Sequence, residues 1–110
     1  MPPFNTLPLP QDLLSNLDRL GYKEMTPIQE MSLPNILKGS DLIAQAKTGS
    51  GKTAAFGIGV LLGIDIKKTH PQALIITPTR ELASQVAEEI RRLGRFLPNL
   101  RSYLSMVELL

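Results

Sequence analysis

A glycine-rich loop between two apolar runs limits the folds open to this chain. Residues 44–53, AQAKTGSGKT, overlap a short apolar run, DLIAQA, that is suited to a buried strand. They lead into KTAAFGIGVLLGI, which is apolar around most of its circumference, as a helix buried in a core would be. A strand, a tight loop and a buried helix in this order predict an α/β fold.

The rest of the sequence extends this alternation. Leucines at helical spacing in QDLLSNLDRLG predict a helix that stops at Gly21, and TPIQEMSL predicts a second helix capped by Thr26, with Pro27 at its first position. We expect Pro34 to interrupt that helix. The run ALIITP predicts a second strand, and a helix is expected from Thr79 through RELASQVAEEIRRLGRFL. This order favours a parallel sheet with flanking helices.

The last predicted helix has two different faces. An apolar stripe is formed by Leu82, Val86, Ile90, Leu93 and Leu97, and a charged face by Glu88, Glu89, Arg91, Arg92 and Arg95. We interpret the charged face as solvated rather than as a nucleic-acid surface.

The composition excludes several classes of protein. The 110 residues allow one domain at most, and the absence of cysteine, with His70 the only histidine, rules out disulfides and the usual metal clusters. The longest apolar run is too short and too often interrupted by glycine to cross a bilayer, and no signal-peptide pattern begins the chain. We therefore expect a cytoplasmic protein with no membrane partner.

The loop residues have the chemistry to hold a triphosphate. Gly49 and Gly51 can turn successive N–H groups toward one anion, and the helix that starts at Lys52 adds its positive end. Lys52 would reach the β- and γ-phosphate oxygens, and the Thr53 hydroxyl would ligate Mg²⁺. The alternative is a glycine-rich turn with a solvated lysine. Ala46 stands where the general phosphate-loop pattern has glycine.

Three segments together resemble the DEAD-box RNA helicase family. AQAKTGSGKT with Ala46 resembles its first motif, GYKEMTPIQ at 21–29 its Q motif, and PTRELA at 78–83 its motif Ia. Phe4 stands seventeen residues before Gly21, where the family has an isolated aromatic residue. The chain looks most like the DEAD-box protein A subgroup, which acts on large-subunit ribosomal RNA. The resemblance implies an incomplete, truncated P-loop NTPase fold with a RecA-like parallel sheet and flanking helices.

The resemblance implies ATP and Mg²⁺ as cofactors. Gln29 would read the N6 and N7 edge of adenine, Phe4 would stack on the base, and Tyr22 and Thr26 would shape the pocket. The implied ATP contacts are Phe4, Tyr22, Thr26, Gln29, Ala46, Lys47, Thr48, Gly49, Ser50, Gly51, Lys52 and Thr53, with Thr53 also on Mg²⁺. Without the resemblance, Gln29 would be a surface glutamine and Phe4 a core anchor.

The resemblance also implies RNA as a partner, and ribosomal RNA in particular. Pro78, Thr79, Arg80 and Glu81 would contact the RNA, because a hydroxyl, a guanidinium and amides at a helix start suit its phosphates. Alternatively, Thr79 caps the helix while Arg80 pairs with a nearby carboxylate. Both interpretations can hold at once.

The sequence lacks the acidic pair that an NTPase needs to hold Mg²⁺ and orient water. Its only adjacent acids are Glu88 and Glu89, and it contains neither a D-E-A-D motif nor a second RecA-like domain. We therefore expect no catalytic residue in this chain and no hydrolysis or unwinding by it alone. In the implied sheet the strands around Leu42 and Ile75 are not neighbours, so we expect unpaired edges and poor cover for Phe56, Leu61 and Ile90.

We divide the chain into a Q-motif region at 1–38, a partial RecA-like ATP-binding domain at 39–100 and a divergent end at 101–110, where the resemblance fades. The leading hypothesis is an N-terminal part of an ATP-dependent RNA helicase. One alternative is a non-catalytic protein that binds adenine nucleotides or RNA. The other is a small P-loop phosphotransferase.

Overall fold

The computed structural model describes residues 1–47, 49–65, 67–68 and 70–97. These residues contain a 3-10 turn, Phe4–Thr6, and four α-helices: α1 (Gln11–Arg19), α2 (Pro27–Leu37), α3 (Lys52–Gly63) and α4 (Arg80–Leu93). The predictions for Thr48 and for residues 98–110 lie outside the described residues.

The first two helices begin and end for local reasons. Gly21, at φ +92°, follows the end of α1 as predicted, and α2 has Thr26 as its N-cap and Pro27 at its first position. The expected break at Pro34 is wrong, because α2 continues to Leu37. Pro34 cannot donate to the Glu30 carbonyl, but Glu30 is exposed, so water can take that bond.

α3 is the central helix and packs against both α2 and α4. Two of its glycines allow close contact: a Cβ on Gly59 would overlap Cγ2 of Ile36, and one on Gly57 would lie 3.2 Å from Cδ1 of Leu93. The most deeply buried apolar side chains come from all four helices and from the segment before α2: Leu13, Leu17, Met25, Leu33, Ile58, Ile90 and Leu93. The described core is therefore made mainly by the helices.

The expected loss of cover over this core is wrong for two of its three residues. Leu61 and Ile90 are 3% and 2% exposed, and only Phe56 is half-buried. The reason is that α3 lies between α2 and α4, which cover it without help from a sheet.

α4 starts where the sequence predicts and ends earlier. The Thr79 hydroxyl accepts the Leu82 N–H at 3.1 Å, which caps the helix. The helix stops at Leu93, four residues before the predicted end, because Gly94 and the two residues after it form a turn. Val86 is buried as expected, whereas Leu82 is 38% exposed.

The two predicted strands are not formed among the described residues. Residues 41–47 and 71–77 are neither helical nor paired in a sheet. Their apolar side chains face solvent: Ile43 is 100% exposed, and Leu74 and Ile76 are each 84% exposed. Neither segment pairs with another strand within the described ranges. A strand needs a neighbour to satisfy its N–H and C=O groups, and neither segment supplies one to the other.

Candidate nucleotide-binding site

The glycine-rich loop reaches the N-terminus of α3 through two left-handed glycines. Gly49 has φ +83°, and Gly51, the N-cap of α3, has φ +93°. The Ser50 N–H donates to the Lys47 carbonyl at 3.2 Å, and the Lys52 ammonium donates to the Ala46 carbonyl at 2.5 Å. Because the first N–H groups of a helix have no partner within it, this end of α3 can receive an anion.

Gln29 lies against this loop rather than on the surface. Gln29 is only 1% exposed. Its Oε1 accepts the Thr26 N–H at 2.9 Å, and its Nε2 donates to the Gly51 carbonyl at 3.2 Å. A Cβ on Gly51 would lie 2.5 Å from Gln29 Nε2 and 2.9 Å from Thr26 Oγ1. The start of α2 and the glycine-rich loop therefore meet in one place, and only glycine fits between them.

One hydroxyl oxygen at this junction is buried and unpaired. Ser50 Oγ has no hydrogen-bond partner within the described ranges, whereas Thr26 Oγ1 faces the Gln29 N–H in the capping box at the start of α2. Buried hydroxyls normally have partners, so Ser50 Oγ is suited to a polar ligand at the N-terminus of α3. This hydroxyl and the first N–H groups of α3 fit a phosphate-bearing molecule.

A metal ion here would depend on the ligand. No group of three histidine, cysteine or acidic side chains able to hold a metal occurs in the described part of the chain. Thr53 is half-buried in the first turn of α3, so its hydroxyl and phosphate oxygens are the ligands that the site can offer to Mg²⁺.

The two predicted aromatic contacts face inward. Phe4 is 3% exposed and its ring meets that of Tyr22 edge-on, with 6.2 Å between the ring centroids. Base stacking on Phe4 would require one of its faces to be uncovered. The Tyr22 hydroxyl donates to Glu89 on α4. Burial, and then this hydrogen bond, raise the pKa of Tyr22 to about 12.

Glu89 does not face water, contrary to the sequence prediction. Its side chain is 15% exposed, and its carboxylate pairs with Arg92 as well as with Tyr22. The neighbouring Glu88 is 61% exposed and pairs with Arg91 at 3.4 Å, as expected for a solvated face. Glu89 differs because the Tyr22 segment packs over that part of α4.

Sequence reasoning missed Asn16. Its amide, in a residue 5% exposed, donates to the carbonyls of Arg92 and Leu93, both at 2.9 Å, and so satisfies the end of α4. The signal was present, because Asn16 lies at helical spacing from Leu13 and Leu20 on the apolar side of α1.

The predicted RNA contacts lie at the start of α4. Pro78, Thr79, Arg80 and Glu81 are all exposed, and Thr79 also caps the helix, as the alternative interpretation expected. Across the described ranges, no helix combines the length and apolar character needed to cross a membrane.

A glycine-rich loop that ends G-S-G-K-T and enters a buried helix is typical of P-loop nucleotide-binding domains. The model of the DEAD/DEAH box helicase family matches residues 26–108. The chain therefore belongs to the DEAD/DEAH box helicase family.

Relatives and solved structures agree with this assignment. The chain is 60% identical over 100 residues to the ATP-dependent RNA helicase DbpA of Escherichia coli (strain K12). This alignment covers 90% of this chain and 22% of that protein. It is similar to S. cerevisiae Dbp5 bound to RNA and ADP BeF3, with a TM-score of 0.81, 35% identity and coverage of 87% of this chain and 25% of the other. It is also similar to a DEAD box protein from the hyperthermophile Methanococcus jannaschii, with a TM-score of 0.79 and 41% identity. That match covers 84% of this chain and 25% of the other.

The predicted family and the RecA-like fold class are thus confirmed. The chain spans between 22% and 25% of the length of these three proteins.

Proposed function

We propose that this chain is the ATP-docking part of an ATP-dependent RNA helicase. The observation that carries the proposal is the contact of Gln29 and Thr26 with Gly51 at the N-terminus of α3. This contact brings the Gln29 amide, which can recognise a base, next to the backbone amides at the N-terminus of α3, which can hold phosphates. The family and the printed names of its relatives support the same assignment.

The phosphates would be held by the backbone amides and side chains of residues 46–53. Lys52 would exchange the Ala46 carbonyl for the β- and γ-phosphate oxygens, since its ammonium already points into the loop. Ser50 Oγ would gain the partner it lacks, and Thr53 would hold Mg²⁺. When bound, Mg²⁺ would neutralise charge on the phosphates.

Gln29 would select adenine. Its Oε1 and Nε2 each make one hydrogen bond, which leaves one lone pair and one N–H for the base. Tyr22 and Thr26 would border this position, and Phe4 would support it from the core or stack on the base once uncovered.

The exposed residues 78–81 would contact the RNA backbone through the Thr79 hydroxyl, the Arg80 guanidinium and the amides at the start of α4. Ribosomal RNA as target and the cytoplasm as location are finer proposals that rest on the subgroup resemblance. Hydrolysis and unwinding are assigned to a complete helicase, with its D-E-A-D motif and second domain, rather than to these 110 residues. The division into parts at 1–38, 39–100 and 101–110 remains a proposal.

Calorimetric titration of the purified chain with ATP and with adenosine tests the phosphate site. We expect weak ATP binding, with a Kd of roughly a millimolar. Lys52→Ala should weaken ATP binding by about tenfold or more and adenosine binding little, because the ammonium acts on the outer phosphates. Lys67→Ala, which removes an exposed lysine elsewhere, is the control. An equal loss for adenosine would point to local unfolding instead.

Comparison of ATP with GTP tests the base contact. Gln29→Ala should reduce the preference for ATP, because the amide matches the donor and acceptor of adenine and not those of guanine. If Gln29→Ala weakens both nucleotides equally, Gln29 does not read the base.

A further inference from the structure

The exposed segment at residues 41–47, DLIAQAK, is held at both of its ends. Just before it, the Ser40 N–H donates to the Asn35 carbonyl of α2 at 3.1 Å. At its far end, the Lys47 carbonyl accepts the Ser50 N–H of the glycine-rich loop at 3.2 Å. Within the described ranges, no strand pairs with the backbone between these two contacts. The segment is therefore anchored and open to a partner strand.

The charges of this segment are complementary to those of a second copy of itself. It begins with Asp41 and ends with Lys47, both exposed, and carries no other charge. A second copy that runs antiparallel and is centred on Ala44 would place each Asp41 opposite the Lys47 of the other copy. A parallel copy in register would instead place like charges opposite each other, which is unfavourable. The charges therefore favour the antiparallel pairing.

The same register also pairs the apolar side chains and the backbone of the segment. Leu42 would lie opposite Ala46 on one face of the pair, and Ile43 opposite Gln45 on the other. Leu42 and Ile43 are 41% and 100% exposed in the single chain, so pairing removes apolar surface from water. Hydrogen bonds exchanged between Ile43 and Gln45 leave the Ala46 carbonyl to the Lys52 ammonium.

We propose that residues 41–47 form the interface of a symmetric homodimer, in which the segments of two copies pair as antiparallel strands about Ala44. A two-fold axis brings one patch against itself, and a self-complementary segment meets that requirement. Because a pair of short strands is only marginally stable, we expect a Kd of roughly 0.1 mM, rising with salt concentration. The proposal goes beyond the proposed function and does not depend on nucleotide or RNA binding.

Charge reversal tests the interface, with the Kd measured by sedimentation equilibrium of the 110-residue chain. Asp41→Lys and Lys47→Asp should each weaken the dimer about tenfold or more, because both cross-strand charge pairs become repulsive. The double variant Asp41→Lys/Lys47→Asp keeps the net charge and restores both pairs, so its Kd should return to within about threefold of the original value. A mixture of the two single variants should form a heterodimer for the same reason.

Lys68→Asp is the matched control for these substitutions. It makes the same change of net charge as Lys47→Asp, at an exposed lysine outside the segment, and should leave the dimer Kd within about twofold.

An introduced cysteine tests the register, because the chain has no cysteine of its own. Ala44 would face its counterpart across the two-fold axis at a Cα separation of about 4.5 Å, which a disulfide can bridge. Ala44→Cys should therefore oxidise to a linked dimer. Ser40→Cys is also exposed but would lie roughly 27 Å from its counterpart, so it should remain largely unlinked.

The outcomes decide between this interface and others. Weakening by each single reversal, with recovery in the double variant and in the mixture, would support the proposal. A chain that stays monomeric up to about 1 mM, or a dimer whose Kd is unchanged by either reversal, would overturn it. A dimer that survives both reversals but is lost in Ile76→Ser would place the interface at residues 71–77 instead. Equal linking of Ser40→Cys and Ala44→Cys would indicate parallel pairing and would also overturn the proposal.

Discussion

The four helices are packed against one another in the described structure, whereas the two segments predicted as strands are not packed against a neighbouring strand. Ile58 on α3 is 0% exposed, whereas Ile43, the same residue type in residues 41–47, is 100% exposed. A helix satisfies its backbone internally and needs only cover for one face, which the other helices provide. A strand needs neighbours for backbone and side chains alike. The comparison shows that the helical part can be complete where the sheet is not.

Hydrogen exchange is the broadest test of this difference. For amides of α3 and α4 in the core, the free energy of opening that permits exchange should approach the free energy of unfolding of the whole chain. For amides of residues 41–47 and 71–77, the free energy of opening should be near zero. Mass spectrometry of peptides from the exchanged monomeric chain would show both. Strong protection of the two segments would mean that they find partners in solution.

Two isoleucines provide a matched pair of substitutions. Ile58→Ala should lower the free energy of unfolding by about 2–5 kcal/mol, because it leaves a cavity among α2, α3 and α4. Ile43→Ala should change it by no more than about 0.5 kcal/mol, since the side chain contacts solvent. Urea denaturation followed by circular dichroism measures both. A similar loss in the two variants would show that residues 41–47 are packed.

Local patterns predicted the helices well because their causes are local. The leucine spacing of α1, the left-handed glycine at 21 and the Thr79 cap all act within a few residues. The failures come from tertiary context. Pro34 is accommodated because Glu30 is exposed to water, and the predicted solvation of Glu89 fails because Tyr22 covers it.

The candidate site shows the same limit. The loop residues and the importance of Gln29 could be predicted from motif order, but not the contact of Gln29 with Gly51, which joins residues 22 apart. The hydrogen bonds from Asn16 to the end of α4 could not be predicted either, because they join residues 76 and 77 positions apart. Hydrophobic periodicity indicates on which face of its helix a residue lies. The residue that it contacts on another element depends on how the helices pack.

Two glycines on α3 test how closely the helical part is packed. Gly59→Ala should destabilise the chain by about 1–3 kcal/mol, because the new methyl would overlap Cγ2 of the β-branched Ile36. Gly63→Ala, at the last residue of α3, meets nothing within 4 Å and should be neutral or slightly stabilising. Thermal unfolding compares the two. An equal gain in both would mean that α2 can move away from α3 at little cost.

The smallest expected effect concerns the contact that joins the N-terminal segment to α4. The pKa of Tyr22 is raised from 10.0 to about 12, so its neutral form is favoured in the folded chain. The stabilisation from this shift is therefore fully present below pH 10 and is lost as the pH rises toward 12. Tyr22→Phe should cost about 0.5–1.5 kcal/mol at pH 7, and the advantage of the unaltered chain should shrink as the pH rises from 10 toward 12.

Urea titrations of both chains at several pH values between 8 and 12 measure this difference directly, and the second tyrosine, Tyr103, is common to both and cancels. Glu89→Gln supplies an independent check, because removing the charged acceptor should lower the pKa of Tyr22 while the contribution of burial remains. A difference between the two chains that stays constant up to pH 12 would mean that the pKa of Tyr22 is not raised, so that its hydroxyl is neither buried nor bonded to Glu89. The N-terminal segment would then be held to α4 by Asn16 and apolar packing, and the helical part would owe its cohesion to the core alone.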